Sequence, residues 1–506
     1  MTTPTRWTKL SPVDETPLAT YTATSAREVL EAVNRAQQAF QAFQSITLKQ
    51  RGQLLRQMAS ALLRDADTLA HLIHQETGKP LEEAYGADLL TAVGVFDYYG
   101  SQAPRWLRPQ RLPIGKGLLM GRLAHEHARP LGVVGIISPW NYPMGIPASG
   151  IATALAAGNA VLLKPSEHTP AVALRLGWLL RQTLKAHGLP TDLVQVLPGD
   201  GETGQALAES RIQGLVFTGS HATGTYLQRL TAGRGLALIL EMGGSDPMIL
   251  LDGCDWDAAT TYAVWGRFSN AGQTCAAVKR LLVPQAQLPT VLALLTHKLA
   301  QVPVSPLISA QQRTQVHQQV KAAMAKGAHC LRGGELPTGP GFYYPPTLLT
   351  QVAADNPVWT QEVFGPVLPV MGYETVEEAV ALANGSAMGL GASVFGPGAA
   401  NIAPHLQAGT VGVHEVPMLA YALPGLPWRG IKHSGMGASH GQAGLLGLTR
   451  PQVVLSNVVW PVLRKMPWHF GPQPSTDFAR VLVKRFARPH AHPALLWAWW
   501  RHRKRL

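Results

Sequence analysis

The chain has only three cysteines in 506 residues, Cys254, Cys275 and Cys330. An odd number without paired spacing suggests neither a disulfide framework nor a CxxC metal site, so a reducing compartment is the natural reading and no metal is expected. No apolar run approaches the roughly 20 residues that a spanning helix needs. The stretch from Met1 to Thr20 is polar and proline-containing, with no apolar core of signal-peptide length. Together these absences predict a cytoplasmic protein that does not cross a membrane. Internal repeats and low-complexity segments are missing too, and so is the GxGxxG fingerprint of the ordinary dinucleotide-binding turn. Charged residues are few, 14% against 46% apolar, which excludes a disordered scaffold and describes a packed globular protein. Acids are the scarcer sign, and the formal net charge is +13. That surplus is local: residues 461–506 hold ten Lys and Arg against one acid, Asp477, so +9 of the +13 lies in the tail. The body is nearly balanced, and no nucleic-acid partner is expected.

What is present is two series of alternating elements. A chain of this length should divide into two or more domains. From Ser25 to about Leu90 apolar residues recur at helical spacing, with Val29, Val33, Ala36 and Phe40 on one helix and Leu54, Leu55, Met58, Leu62 and Leu63 on the next. From Gly132 short β-rich runs alternate with helical ones: GVVGIISP, AVLLKP, LVQVLPG, GLVFTGS, LALILEMGG and PMILL. A second series follows Cys275, with KRLLVP, helices near 285–300 and 311–326, VLPVMGY, a helix over 376–383, and GASVFG. Strands separated by helices predict parallel, doubly wound sheets. Residues 117–129 and 452–459 read as strands outside both sheets.

Five short features could carry chemistry. Gly272-Gln273-Thr274-Cys275 follows Ser269-Asn270-Ala271 at what reads as a helix start, where the positive dipole end would favour a thiolate. A lone cysteine is more often a small buried residue. Glu241-Met242-Gly243-Gly244 ends a strand, and a carboxylate with open space before it could activate water. Strand-end acids are commonly just solvated. Asn141, in Pro139-Trp140-Asn141-Tyr142-Pro143, could donate to an oxyanion together with the Cys275 N–H, or simply sit in a proline-braced turn. Phe217-Thr218-Gly219-Ser220 ends a strand and opens a helix, a place for a pyrophosphate, while Lys164-Pro165-Ser166-Glu167 could hold ribose hydroxyls. In Gln361-Glu362-Val363-Phe364-Gly365-Pro366 an acid and an aromatic could take a ribose and a nicotinamide, or make a strand-entry turn.

In this order the five features resemble the aldehyde dehydrogenase superfamily, from about Ser11 to Val459. Arg51 in RGQLL, Glu76-Thr77-Gly78-Lys79-Pro80 and Leu426-Pro427-Trp428-Arg429-Gly430-Ile431-Lys432-His433-Ser434-Gly435 fit its pattern as well. The resemblance implies an α/β fold of two doubly wound domains with a small β-element for oligomerisation. The cofactor-binding domain would take residues 1–116 and 130–243 and the catalytic domain 244–450, with oligomerisation strands at 117–129 and 451–460. It implies Cys275 as nucleophile, Glu241 as general base and Asn141 as oxyanion donor. NAD, or NADP, would be bound by Lys164, Ser166 and Glu167 at the adenosine ribose, Gly219 and Ser220 at the pyrophosphate, Glu362 at the nicotinamide ribose, and Phe364 beside the nicotinamide, with Trp140 and Gly243 completing the set. Glu167 beside a 2′-hydroxyl would favour NAD. The expected reaction is oxidation of an aldehyde to a carboxylic acid through a Cys275 thiohemiacetal and thioester.

The chain also departs from the pattern. Arg429 stands where a second glycine is usual, Ala276-Ala277 follow Cys275 with no second thiol, His414 replaces a common Asn, and Met388 a common Tyr. The alternatives are an acylating relative that passes the acyl group to coenzyme A, a branch that lacks an acid at Glu241, and a catalytically inactive structural protein of the membrane surface. The substrate could be a lipophilic fatty or isoprenoid aldehyde, succinate semialdehyde or an aromatic aldehyde. The alternating QVVLSNVV predicts a homodimer or higher homo-oligomer. The basic tail, 461–506, lies beyond the resemblance. Over Thr476–Arg488, Phe478, Val481, Leu482 and Phe486 would share one helical face opposite Arg480, Lys484, Arg485 and Arg488; Trp497, Trp499 and Trp500 then precede Arg501, Arg503, Lys504 and Arg505. Tryptophans beside a basic cluster suit an anionic membrane surface, on its inner face.

Overall fold

The computed structural model describes residues 5–115 and 122–458, so the tail calls on 461–506 lie outside the described residues. Two compact units divide the chain: one takes residues 1–107 and 129–450, the other 108–128 and 451–506.

The first unit opens with a hairpin the sequence did not suggest, Arg6–Leu10 antiparallel to Pro17–Thr22. Helices follow where helical spacing placed them. Ala26–Phe43 starts at a reciprocal Ser25/Glu28 capping box, and Leu48–Arg64 at a Thr47/Gln50 one. Their buried faces correct the expectation in two places: Phe43 is fully buried where Phe40 is only half so, and Leu63 points to solvent while Leu54, Leu55, Met58 and Leu62 are buried.

A six-stranded sheet runs in the order Gly435–Met436, Ala237–Met242, Gly214–Gly219, Val133–Ile137, Ala160–Lys164 and Val194–Val196. All pairs are parallel except the first. The carboxyl ends of the parallel strands therefore share one edge, where open α/β sheets bind ligands. A seven-stranded sheet runs His329–Arg332, Thr347–Thr350, Val367–Tyr373, Val278–Pro284, Asp246–Leu250, Gly391–Phe395 and Thr410–Val413, again parallel but for its first pair. The run PMILL, read as closing the first series, instead lies inside this second sheet, paired with Val278–Pro284 and Gly391–Phe395. Only the Gly-Gly-Ser at 243–245 separates it from the strand of Glu241, too few residues for a crossover helix that would return it to the same parallel sheet.

The antiparallel addition of Gly435–Met436 brings the late chain back to Glu241: Gly435 pairs with Glu241 itself. Gly435 has φ +150, and a Cβ there would lie 2.2 Å from the Leu240 carbonyl oxygen, so only glycine permits the approach. In the second unit, Gln110–Arg111, Arg122–Pro130 and Thr449–Asn457 form a three-stranded sheet with Thr449–Asn457 outermost among the described residues. The strand expected over 117–129 is seen from Arg122, and the one expected over 452–459 starts earlier, at Thr449.

Candidate active site

Cys275 does not start a helix. Helix Trp256–Phe268 ends just before it, and Ser269–Gly272 makes one tight turn in which Asn270 (φ 54), Ala271 (φ 53) and Gly272 (φ 71) are left-handed. Cys275 then lies in the loop leading to strand Val278–Pro284. The dipole expected to favour its thiolate is therefore absent, and burial instead pushes the thiol up to about 12, with Glu241, Asp246 and Glu362 adding to the rise and Lys279 opposing it. Hydrogen bonds lock the loop. Asn270 donates its N–H to Glu83 Oε2 (2.8 Å) and its Nδ2 to the Asn141 carbonyl (2.9 Å). Gln273 donates Nε2 to the Asn270 carbonyl (3.1 Å) and accepts from the Ile308 N–H (2.9 Å).

Asn141 is buried against this loop, its Nδ2 donating to the Gln273 carbonyl at 3.0 Å. An amide nitrogen carries two hydrogens, so one remains for another acceptor. The turn holding Asn141 rests on a buried ion pair: Lys79 Nζ lies 2.6 Å from Asp88 Oδ2 and donates to the Asn141 carbonyl at 2.9 Å, while Asp88 Oδ1 accepts from the Met144 and Gly145 N–H groups (3.1 Å each) where helix Gly145–Ala157 begins. This gives the Glu76–Pro80 segment a physical purpose that its sequence did not disclose.

Glu241 is enclosed, not solvated. Burial raises its pKa to about 7, the neighbouring Ser439 hydroxyl working against the rise, and Oε1 has no hydrogen-bond partner. Cys275, Met418, Ala420 and Tyr421 pack against a small core of Ala276, Leu390 and Trp428, and Tyr142 joins them through Thr274 (2.7 Å between hydroxyl oxygens). His440 lies behind, its ring 4.5 Å from that of Tyr421, fully buried with neither ring nitrogen paired and its backbone at φ 61. Tyr142, Tyr421, Ser439, His440, Asp246 and Lys279 were all missed by sequence reasoning. Lys279 alone carried a usable signal, lying four residues after the cysteine.

The remaining candidates fall at the carboxyl edge of the six-stranded sheet. Trp140 and Phe364 meet edge to face at 5.5 Å. Lys164 and Ser166 are buried, and Lys164 Nζ stands 3.7 Å from Glu167 Oε2, whose side chain is half exposed. Ser220 caps helix His221–Thr231, its hydroxyl accepting from the Thr223 N–H, directly after Gly219 ends its strand. Glu362 reaches into the Gly243-Gly244 turn and accepts from the Gly244 N–H at 3.3 Å; a Cβ on Gly243 would lie 1.8 Å from its Oε2, so the glycine makes the space. Arg267, fully buried, holds the segment after Glu362 by donating to the carbonyls of Val363, Gly365 and Val367. Of the departures, Arg429 is exposed, His414 turns to the Gly396 carbonyl (3.0 Å) at the end of the second sheet, and Met388 lines a small cavity beside Asp246.

A model of the aldehyde dehydrogenase family matches residues 2–454. The chain is 36% identical over 449 residues to the succinate-semialdehyde dehydrogenase (NADP+) of Deinococcus radiodurans, covering 86% of this chain and 91% of that protein. It is 33% identical over 463 residues to the 4,4'-diapolycopene aldehyde oxidase of a Methylomonas species, covering 88% and 85%. Among solved structures, the NAD+ complex of aldehyde dehydrogenase from Bacillus cereus matches with a TM-score of 0.85 at 30% identity, over 90% of this chain and 94% of that one. The NAD-dependent aldehyde dehydrogenase from Sinorhizobium meliloti matches with a TM-score of 0.85 at 31% identity, over 92% and 93%.

Proposed function

We propose a course for the reaction from one premise: the chain belongs to the aldehyde dehydrogenase family and is an NAD(P)-dependent aldehyde dehydrogenase. Residues 1–116 and 130–243, which supply the five parallel strands from Val133 to Met242, would hold the dinucleotide, and 244–450 would carry the catalytic cysteine. The Cys275 thiolate attacks the aldehyde carbon, and the oxyanion of the resulting thiohemiacetal accepts from the free Asn141 Nδ2 hydrogen and the Cys275 N–H. Bound NAD(P)+ supplies the hydride acceptor, leaving an acyl thioester on Cys275. Glu241 takes a proton from water, the water oxygen adds to the thioester carbon, and the carboxylic acid leaves as the thiolate reforms. The residues present fit the cofactor: the Gly243 turn admits the Glu362 carboxylate, and the capped helix after Gly219 presents N–H groups to a pyrophosphate. Lys164, Ser166 and Glu167 would hold the adenosine ribose and Trp140 and Phe364 the nicotinamide end, with Glu167 favouring NAD over NADP. The observation that carries this reading is a buried Asn141 whose side chain is bonded to the cysteine loop, with the buried Glu241 carboxylate near enough to act on the Cys275 thiol. The test is NAD(P)H formation from a simple aldehyde, which Cys275→Ala should abolish; activity retained in that variant would refute it.

A lipophilic aldehyde is the substrate we favour over succinate semialdehyde. Leu390, Met418, Tyr421 and Trp428, clustered with Cys275, give that side of the nucleophile an apolar and aromatic lining. Leu419, Leu423 and Leu426, on the same stretch of chain, are exposed. A relative named for an isoprenoid-derived aldehyde agrees with this, although one named for succinate semialdehyde is slightly more identical. Comparing kcat/KM for decanal and for succinate semialdehyde decides between them, a higher value for decanal being expected. We further propose a homo-oligomer joined through Thr449–Asn457 and a membrane-surface role for the tail.

A further inference from the structure

With no helix start at Cys275, something else must stabilise its thiolate. Besides burial, the charges that act on the Cys275 thiol are those of Glu241, Asp246 and Glu362, which raise its pKa, and Lys279, which lowers it. Lys279 is the second residue of Val278–Pro284, the central strand of the seven, at the register shift where Asp246 pairs with Val278 and Pro247 with Arg280. Its Nζ is almost fully buried and makes two contacts: 2.5 Å to the Cys275 carbonyl oxygen and 2.8 Å to Glu362 Oε1. Glu362 is the more exposed partner, 20% against 2%, and belongs to a turn, not a strand. Lys279 is thus held in place by the nucleophile's own loop and partly neutralised by a carboxylate with access to the outside.

We propose that Lys279 is the residue that stabilises the Cys275 thiolate, and that Glu362 is its switch: when Glu362 turns from Lys279 to the cofactor ribose, the ammonium is left to face the sulfur. This rests on the assignment of Glu362 to the nicotinamide ribose. The cysteine would then be protonated and unreactive in the free enzyme and reactive once the dinucleotide is in place, which protects a thiol that must otherwise meet any electrophile entering the site. Neutralising Glu362 works in the same direction twice, since it removes an opposing charge and releases a helping one. Lys279 is a positioning residue in this scheme, for it acts through Cys275.

The test follows alkylation of the full-length chain by iodoacetamide from pH 6 to 10, read by mass spectrometry of the Cys275 peptide so that Cys254 and Cys330 do not count. Saturating NAD should lower the midpoint of the wild-type rate profile by at least one pH unit, a tenfold faster reaction at a fixed pH below it. Glu362→Gln should show a lowered midpoint without NAD. Lys279→Gln should keep a high midpoint that NAD no longer moves, and Lys279→Arg should recover part of the response. An undiminished NAD response in Lys279→Gln, or a wild-type midpoint in nucleotide-free Glu362→Gln, would overturn the proposal; the second comparison holds even where the lysine variant does not fold. NAD affinity, from quenching of tryptophan fluorescence, separates the two layers. Unchanged affinity in Glu362→Gln removes the ribose assignment and the switch with it, whereas weakened affinity with unmoved midpoints removes the switch alone.

Discussion

Two buried titratable residues make opposite demands. Glu241 must lose a proton to act as a base, and its enclosure sets that loss near pH 7. Steady-state turnover should therefore rise as pH increases through about 7, and Glu241→Gln should flatten the rise while reducing turnover by roughly 10²- to 10⁴-fold, the usual worth of a placed base. A single turnover of NAD(P)H should survive, because hydride transfer precedes hydrolysis; stopped-flow absorbance at the nicotinamide band measures both. His440 is the reverse case. Burial lowers its pKa from 6.5 to about 4, so between those values the unfolded chain binds a proton that the folded chain refuses. Stability supported by the neutral ring is present above pH 6.5 and falls as pH drops toward 4, by up to about 3 kcal/mol at 1.36 kcal/mol per unit. Buried Glu76, Glu241 and Asp246, all raised to about 7, slope the other way, so the comparison must be between variants. Denaturant titrations at pH 7.5 and 5 should show wild type losing more stability on acidification than His440→Gln. Equal losses would place the ring's protonation elsewhere.

At the level of elements, what could be read from the sequence was whatever depends on neighbours along the chain. The five parallel strands before residue 243 and the helices at 285–300, 311–326 and 376–383 follow from runs and periods, and all are present. What could not be read depends on residues far apart. The hairpin Arg6–Leu10 with Pro17–Thr22 is mostly exposed, so no buried run marks it, and PMILL is a buried run whose sheet is fixed by partners at 278–284 and 391–395. Cys275, Glu241 and Asn141 stood out because their short motifs are local, but the misplaced helix start shows the limit: Ala271 adopts left-handed backbone that alanine rarely takes, next to Asn270, whose tertiary bonds to Glu83 and Asn141 hold the turn. The strand Thr449–Asn457 is a case where local pattern still leads to a test. Val453 and Leu455 are 59% and 63% exposed on an outer strand, an arrangement that invites pairing with a second copy. Val453→Lys with Leu455→Lys should lower the molar mass measured by light scattering at unchanged far-ultraviolet circular dichroism. A wild-type chain that is monomeric at all concentrations would show that the strand is not an interface.

Over the whole chain a nearly balanced body carries a strongly basic extension, with +9 of the formal +13 in residues 461–506, and the proposed membrane-surface role belongs to that extension. No helix among the described residues is long and apolar enough to cross a membrane, and the attachment we propose is at the surface, through the tail. The tail supplies both components such attachment needs: apolar Phe478, Val481, Leu482 and Phe486 with Trp497, Trp499 and Trp500, and ten Lys and Arg. Near anionic lipid each basic residue contributes roughly 1 kcal/mol, so a few in contact outweigh the cost of holding one chain end at a surface, while one acid, Asp477, opposes them. On the proposed reading a lipophilic aldehyde would partition into the same bilayer, and a tail holding the enzyme there would raise the local substrate concentration. The full chain should therefore sediment with phosphatidylserine-containing vesicles at physiological salt, and a chain ending at Trp460 should remain in solution. Because the attraction is partly ionic, about 1 M salt, where the screening length is near 3 Å, should release much of the bound protein. Truncation should leave turnover of a short, water-soluble aldehyde unchanged and raise the apparent KM for a long-chain aldehyde presented in vesicles. Equal partitioning of the two chains would reject the membrane role, and equal KM values for the vesicle-borne aldehyde would reject the link between tail and substrate even where binding is seen.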